Sequence, residues 1–492
     1  MSGLRPGNRH VMLLWAASAG NAGASWIMLI AVFVYVLHHF SASSLAIVEL
    51  VGTLPALLCM PFAGAIADRH DVRRLAMGSM LVQALSLLGV LVMLRVGLWE
   101  IAACYGLQGA AGAVWAPARQ QWLYALVRED RGRAAANAAI GSVSGVMTIA
   151  GAALGGVLSA WSTSAALAAA VGLQLVATAP LLALARPALQ QGTRADGALR
   201  SLHADLAEGF TALRALPLAR SVIWVGISWG LIGGAYNVLL TAHVTNDLHG
   251  GGLLLGMFYV VDGAAVILGS VLAVRLRRGS HLAAYALAYV LQGAAWGAMF
   301  LGGQAAWSAA LLAVMRTASG VIIALDTTIL LATVPERLRG RITSLHMTTY
   351  GAASRVALAA SAGLLAVTGI RTIGVVAGGA SVIVGAAWWW LNGRRARSLY
   401  LSATSAADAD PDPQPALCPD PASRAAPAGQ AGPPCSALSR LASSCSPPAP
   451  RTTTAAPGLS GCAAPALPAR STSKLAPWHA PCCWNIAGSP NP

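Results

Sequence analysis

Four ionisable side chains inside the long apolar stretches of this 492-residue chain are the first candidates for function, because charge is energetically costly there. They are Glu49, Asp262, Arg316 and Asp326. A charge at the centre of a bilayer costs about 3 kcal/mol, so it persists only with a partner or beside a cavity. A carboxylate in such a place can bind and release a proton, and an arginine can act as its counter-ion.

Each of these residues also has a structural interpretation. Asp262 is the first choice among them for the carboxylate that couples protons. It fits a proton or substrate-cation site, and equally a buried partner of an arginine such as Arg316, which lies in a different stretch. Asp326 is nearer the cytoplasmic end of its stretch, which favours a structural role. Glu49 is near the start of its stretch, where a residue of a solvated vestibule is as good an interpretation as a proton-coupling site. Arg316 and Asp326 are about 15 Å apart along a helix, so we do not expect them to pair directly.

Two asparagines are further candidates for contact with a solute. Asn21 and Asn237 occupy comparable places in the two halves of the chain, each close to a pair of glycines. The alternative role is interhelical hydrogen bonding, worth about 1 kcal/mol. Both interpretations remain open from the sequence.

The elements that carry these residues are predicted by the composition. Hydrophobic residues make up 56% of the chain, charged residues only 10%, and the mean hydropathy is +0.63. A water-soluble domain has about a quarter of its residues charged, so this surface must face lipid. The net charge of +15 does not indicate nucleic-acid binding, because the arginines lie in short gaps rather than on one basic face.

Twelve apolar stretches are long enough to cross a bilayer, which takes about 20 residues per helix. They predict an all-α membrane protein with transmembrane spans at 11–38, 44–66, 75–94, 99–126, 134–158, 164–184, 221–243, 253–274, 282–300, 307–333, 342–367 and 371–391.

The arginines lie almost entirely in every second gap between the spans, and both chain ends belong with the basic gaps. By the positive-inside rule both termini are cytoplasmic. The longest internal gap divides the spans six and six, and similar basic runs open the fifth and eleventh spans. We therefore predict a six-helix bundle at 1–184, a cytoplasmic central loop at 185–220, a second six-helix bundle at 221–395, and a disordered tail rich in Pro, Ala and Ser at 396–492.

One gap carries a recognisable motif. Residues 64–74, with Gly64, Asp68, Arg69, Arg73 and Arg74, resemble the signature loop of the major facilitator superfamily. The segments at 41–46, 54–55, 205–210 and 334–341 are similar to the branch of exporters that includes the enterobactin exporter and macrolide-efflux proteins.

The resemblance implies a conformational latch at these residues. Asp68 would accept hydrogen bonds from the backbone at a neighbouring helix N-terminus, that of span 11, and Arg69 and Arg73 would form ion pairs with nearby carboxylates. The alternative is that these charges only mark the inner face. In span 5, Gly151, Gly155 and Gly156 are similar to the antiporter motif of the superfamily; ordinary small-residue helix packing is the other interpretation.

The resemblance and the buried charges together predict a secondary active transporter of the inner membrane. We expect a monomer that exports an amphipathic small molecule, a drug-like compound or siderophore-like metabolite, by alternating access coupled to protons. Without a phosphate-binding loop or clustered His and Cys residues, we expect no enzyme activity, cofactor or metal. A proton-coupled importer on the same fold and a non-transporting membrane sensor or scaffold remain the alternatives.

Overall fold

The apolar stretches form long helices in a computed structural model of the chain. The structure describes residues 9–127, 130–184, 211–335, 338–393, 398 and 400–402, without the side chains at 61, 64, 65, 68, 69, 130–135, 137, 138 and 333. Over these ranges all regular elements are helical and no strand occurs. The predicted all-α class is confirmed.

The helices follow the predicted spans closely, and the seventh span is divided into two segments, α7a and α7b. The helices are α1 (Arg9–His39), α2 (Ala42–Arg69), α3 (Val72–Met93), α4 (Leu98–Leu126), α5 (Asp130–Trp161), α6 (Thr163–Leu182), α7a (Pro217–Gly233), α7b (Tyr236–Ala242, continued by a π-helical turn at His243–Asp247), α8 (Gly252–Val274), α9 (His281–Met299), α10 (Ala305–Thr333), α11 (Arg339–Val367) and α12 (Ile370–Asn392).

Eleven segments of the described chain are long and apolar enough to cross a membrane, with α7a and α7b counted as one. The helix outside this set is α4, which spans 29 residues and includes Gln108, Pro117 and several glycines that lower its hydropathy. Residues 185–210 of the predicted central loop lie outside the described residues, as does the predicted tail apart from 398 and 400–402.

Helices α1 to α6 pack mainly on one another, and α7a to α12 do the same. Two pairs make the most extensive contacts between these halves: α5 packs against α8, and α2 packs against α11. Smaller contacts join α2 to α7b and α1 to both α7b and α8. The described helix ends that flank the basic gaps lie at one end of the helices, which we call the basic end. The other end carries the α1–α2 and α7b–α8 connections and is called the opposite end.

The hydrophobic core differs between the two ends. Towards the opposite end, one cluster contains buried residues of both halves, including Phe33, Leu45 and Phe258. Towards the basic end the two halves have separate clusters, one around Trp122 in the first half and one around Tyr285 in the second. Among the described residues, the halves are therefore packed together at the opposite end and share no core cluster at the basic end.

Glycines allow the close contact between α5 and α8. A Cβ added at Gly156 would lie 2.7 Å from the Gly252 carbonyl oxygen and 2.7 Å from the Gly256 Cα, whereas ordinary contacts lie at 3.4–4 Å. Small residues let two helix backbones approach in this way. The closed opposite end therefore depends on the absence of a side chain at Gly156.

Candidate functional site

A cavity of about 380 Å³ lies midway along the helices. Its walls come from α2 of the first half and from α7a, α7b, α9, α10, α11 and α12 of the second. Aromatic side chains from four elements line it: Trp229, Tyr236, Trp296 and Tyr350. A mainly apolar pocket with a few convergent polar groups is the usual form of a small-molecule site.

The break in the seventh span shapes this cavity. Helix α7a ends at Gly233, and Gly234 and Ala235 form a turn before α7b begins at Tyr236. A Cβ at Gly230 would lie 2.7 Å from the Tyr350 carbonyl oxygen, so α7a lies directly against α11. Glycine is a poor helix former, and the turn presents Tyr236 and Asn237 to the cavity.

Asp262 and Arg316 form an ion pair across α8 and α10. The Arg316 Nε donates to Asp262 Oδ1, and the Tyr236 hydroxyl donates to Asp262 Oδ2 at 2.6 Å. The guanidinium carbon also lies 4.9 Å from the centre of the Tyr236 ring. Asp262 is buried, with both carboxylate oxygens occupied, while Arg316 and Tyr236 reach the cavity wall.

Glu49 connects the two halves at the cavity. Its Oε1 accepts a hydrogen bond from the Asn237 amide at 2.8 Å, which joins α2 to α7b. Asn237 Oδ1 in turn accepts a long hydrogen bond from the Tyr259 hydroxyl at 3.4 Å. Glu49 is 5% exposed and its Oε2 has no hydrogen-bond partner. One carboxylate oxygen is therefore held by the other half, and one is left for an incoming group.

Asp326 belongs to a separate polar cluster towards the basic end. Its Oδ1 accepts from the Tyr285 hydroxyl at 2.6 Å, and its Oδ2 lies 2.7 Å from His346 Nε2. These residues come from α9, α10 and α11, and Asp326 does not contact Arg316. The cluster ties three helices of the second half together.

Asn21 lies outside the central cavity. Its amide donates to Gln83 Oε1 at 2.8 Å and to Gln174 Oε1 at 3.2 Å, which links α1 to α3 and α6. It also lines a smaller cavity of about 330 Å³ within the first half. The two asparagines that occupy comparable places in the sequence thus have different surroundings.

A family model described as Major Facilitator Superfamily matches residues 14–358. The chain belongs to this superfamily. It is a multi-pass membrane protein with a transporter fold, and members of the superfamily bind small-molecule substrates within a membrane. No curated protein sequence matches the chain.

Solved structures of transporters share this fold at low identity. A bacterial homolog of the human lysosomal transporter Spinster, in an inward-facing and unoccupied conformation, is 14% identical with a TM-score of 0.61, covering 81% of this chain and 98% of that one. The nucleoside transporter NupG is 13% identical with a TM-score of 0.60, over 77% and 98%. A bacterial homologue of the iron transporter ferroportin, in an inward-facing state, is 15% identical with a TM-score of 0.58, over 77% and 98%.

The superfamily signature loop joins α2 to α3 at the basic end. Arg73 Nη2 donates to the Leu182 carbonyl oxygen at the end of α6 at 2.7 Å, and Asp71 caps α3 by accepting from the Arg74 backbone N–H at 2.9 Å. The side chains of Asp68 and Arg69, and any contact at Gly64, lie outside the described part of the structure.

The three glycines of the antiporter-like motif face two different helices. Cβ atoms at Gly151 and Gly155 would lie about 3.0 Å or less from the backbone of α1, near Gly23 and Ile27, whereas Gly156 faces α8. Gly151 and Gly155 therefore contribute to packing within the first half. Gly156 contributes to the junction between the halves.

Several residues of the site were not among the predicted candidates. Tyr236 and Ser354 lie in apolar stretches where no spacing of polar residues marks them as facing a cavity. His346 follows a basic gap, so a position at the surface is the simplest interpretation of its sequence. Arg355, whose position in the sequence favours a structural role, lines the cavity with its Nε buried and unpartnered. The position of Tyr236 two residues after the pair Gly233 and Gly234 is the one local signal that could have indicated it.

Proposed function

We propose that this protein is a secondary active exporter that couples the entry of protons to the efflux of an amphipathic small molecule. The observation that carries the proposal is the cavity midway along the helices, which combines aromatic walls with ionisable residues. Its two six-helix halves would alternate access to this cavity from the two sides of the membrane. We place the protein in the inner membrane, with both termini cytoplasmic and with the exporter branch as its place in the superfamily.

The packing at the two ends supports alternating access. If the basic end is cytoplasmic, the shared core and the glycine contact of α5 with α8 close the cavity on the outer side. The separate cores of the halves then lie on the cytoplasmic side. This is the arrangement expected of an inward-facing state, from which an exporter would load its substrate.

Glu49 is the carboxylate best placed to couple protons. Its free Oε2 can take a proton without the loss of an existing bond, and its Oε1 holds Asn237 of the other half. Protonation of Glu49 would change an interaction that joins the halves, and so change the relative stability of the two states. At Asp262, the first choice from the sequence, a proton must displace Arg316 or Tyr236.

The latch in the α2–α3 loop would form in the outward-facing state, in which the basic end is closed. We propose that Asp68 and Arg69 hold the basic end closed after the halves rock, since α2 packs against α11 and both reach that end. Asp68→Asn should then increase the population of the inward-facing state. Glu100→Gln, an exposed carboxylate in the first turn of α4 at the opposite end, is the matched control.

Everted membrane vesicles carrying the full chain test the proposed function. Respiration acidifies their lumen, and a fluorescent amine reports the pH gradient while cationic dyes, macrolides, siderophores and aromatic amino acids are added. Export predicts that one class of compound releases protons from the lumen, and that Glu49→Gln abolishes the response. Uptake of a compound by intact cells, without proton release from everted vesicles, would favour an importer. No transport of any compound in either assay would favour a sensor or scaffold.

A further inference from the structure

Three buried polar atoms on the cavity wall have no hydrogen-bond partner. They are Glu49 Oε2 on α2, and Ser354 Oγ and Arg355 Nε on the facing helix α11. Glu49 is 5% exposed and Ser354 is 8% exposed. An unsatisfied buried polar group costs about 1–3 kcal/mol, and more when it is charged. Three such atoms lie around one cavity, two on α11 and one on α2, where a bound ligand can supply their partners.

The types of these atoms define the ligand group. A carboxylate oxygen needs a hydrogen-bond donor, preferably a cation, while the guanidinium N–H needs an acceptor, preferably an anion. The Ser354 hydroxyl can satisfy either. The other cavity arginine, Arg316, is already paired with Asp262. Arg355 is within electrostatic range of Glu49, but Glu49 Oε2 and Arg355 Nε both remain without a hydrogen-bond partner. A molecule with both an ammonium and a carboxylate supplies a partner to each of these two atoms, whereas a simple cation or anion leaves one of them unsatisfied.

The rest of the cavity is suited to an aromatic or apolar body. The rings of Trp229 and Tyr350 lie 5.3 Å apart at the cavity wall, and those of Tyr236 and Trp296 are also 5.3 Å apart. Aromatic surfaces of this kind bind other rings by stacking and edge contacts. The volume of about 380 Å³ has room for one amino acid with a large side chain.

We propose that the substrate is an aromatic zwitterion of the amino-acid class. Its ammonium donates to Glu49 Oε2, its carboxylate accepts from Arg355 Nε and from the Ser354 hydroxyl, and its ring packs against Trp229 and Tyr350. This rests on the proposed function, because it names the substrate of the same cavity. The geometry assigns Arg355 as the specificity-determining residue for the carboxylate.

Binding to the purified full-length protein, measured by calorimetry without any gradient, tests the substrate class. Three probes share one aromatic body: L-tryptophan is a zwitterion, L-tryptophan amide is a cation, and N-acetyl-L-tryptophan is an anion. We expect L-tryptophan to bind at least about tenfold more tightly than either of the others, since each of them lacks one charge-assisted bond.

Variants test which charged group of the probe each residue binds. Glu49→Gln should remove the preference for L-tryptophan over the N-acetyl compound, and Arg355→Gln should remove its preference over the amide. Glu100→Gln, at an exposed position in the first turn of α4, is the matched control and should leave all three affinities unchanged. Equal affinities for the three probes, equal weakening of all three by either variant, or no binding of L-tryptophan to folded wild-type protein would overturn the assignment.

The binding experiment can fail or succeed independently of the transport experiment that tests the proposed function. If L-tryptophan does not bind but another amphipathic compound releases protons from everted vesicles, the substrate class fails and proton-coupled export stands. If L-tryptophan binds with the expected pattern and no compound moves protons, the substrate class stands and proton coupling fails.

Discussion

The contact between α5 and α8 leads to a prediction about the closed opposite end. Substituting Gly156→Ala places a Cβ 2.7 Å from both the Gly252 carbonyl oxygen and the Gly256 Cα, where ordinary contacts begin at 3.4 Å. The neighbours are backbone atoms, which cannot rotate away as a flexible side chain can. The two helices must therefore separate by about 0.7 Å, in a closely packed region that does not absorb such a change freely.

The size of the effect follows from the cost of overpacking. Extra carbon atoms in a well-packed contact cost about 1–3 kcal/mol. If the strain exists only when the opposite end is closed, the equilibrium between closed and open forms shifts by about 5- to 150-fold. We therefore expect Gly156→Ala to populate a form in which α5 and α8 are apart at this end.

Distance measurements between spin labels check this prediction. Labels at Trp161→Cys on α5 and Val367→Cys on α11, in a cysteine-free background, sit at positions that are 87% and 79% exposed at the opposite end. Gly156→Ala should add a longer distance to their distribution. Gly145→Ala in the same helix is the control, because its Cβ would meet nothing within 4 Å. Identical distributions for the two alanine variants would refute the reasoning.

Three further predictions concern single contacts. Asn237→Ala removes the donor to Glu49 and should cost the closed form about 1–3 kcal/mol, seen with the same labels; an unchanged distribution would contradict this. Asp262→Asn leaves Arg316 without its carboxylate and should lower the free energy of unfolding by about 3–5 kcal/mol. Adding Arg316→Gln should recover most of this loss, and a midpoint of thermal unfolding no higher for the double variant than for Asp262→Asn would count against this ion pair. Tyr400 lies beyond the end of α12, and burial raises the pKa of its hydroxyl against a smaller opposing effect of Arg278. The buried neutral tyrosine therefore contributes its full stability below the ordinary tyrosine pKa of about 10, and this contribution is lost as the pH rises through the raised pKa of the folded protein. Wild type should therefore lose thermal stability faster than Tyr400→Phe on going from about pH 9 to pH 11, and parallel pH profiles would exclude this role.

Hydropathy and charge predicted the helices well because a lipid environment imposes them. An unsatisfied backbone group in hydrocarbon costs several kcal/mol, so every apolar stretch must become a helix. The predicted span 99–126 corresponds to Leu98–Leu126, and 371–391 corresponds to Ile370–Asn392. The seventh span was less well predicted: it begins earlier, at Pro217, because proline is favoured in the first turn of a helix, and its division at 234–235 leaves no trace in hydropathy.

The side-chain contacts of the site could be predicted only in part. The cost of buried charge identified Asp262 and Arg316 as residues that need partners, and the structure pairs them. The sequence cannot establish such a pair, because each helix can rotate about its axis and the faces that meet depend on packing. Arg355 shows the same limit: α11 begins at Arg339, which puts this arginine midway along the helix and on its cavity face.

The measurement that tests the central claim most directly uses the purified protein in liposomes with an imposed pH gradient. A compound identified in the vesicle assay is supplied outside, and its accumulation against a gradient is compared with its exchange at equal pH. We predict that Glu49→Gln retains exchange when the substrate concentration is raised to saturate its weakened site, and loses proton-driven accumulation, because the cavity remains but the proton-binding carboxylate does not. Full accumulation in Glu49→Gln, with loss in Asp262→Asn instead, would contradict the assignment of coupling to the residue that joins the two halves.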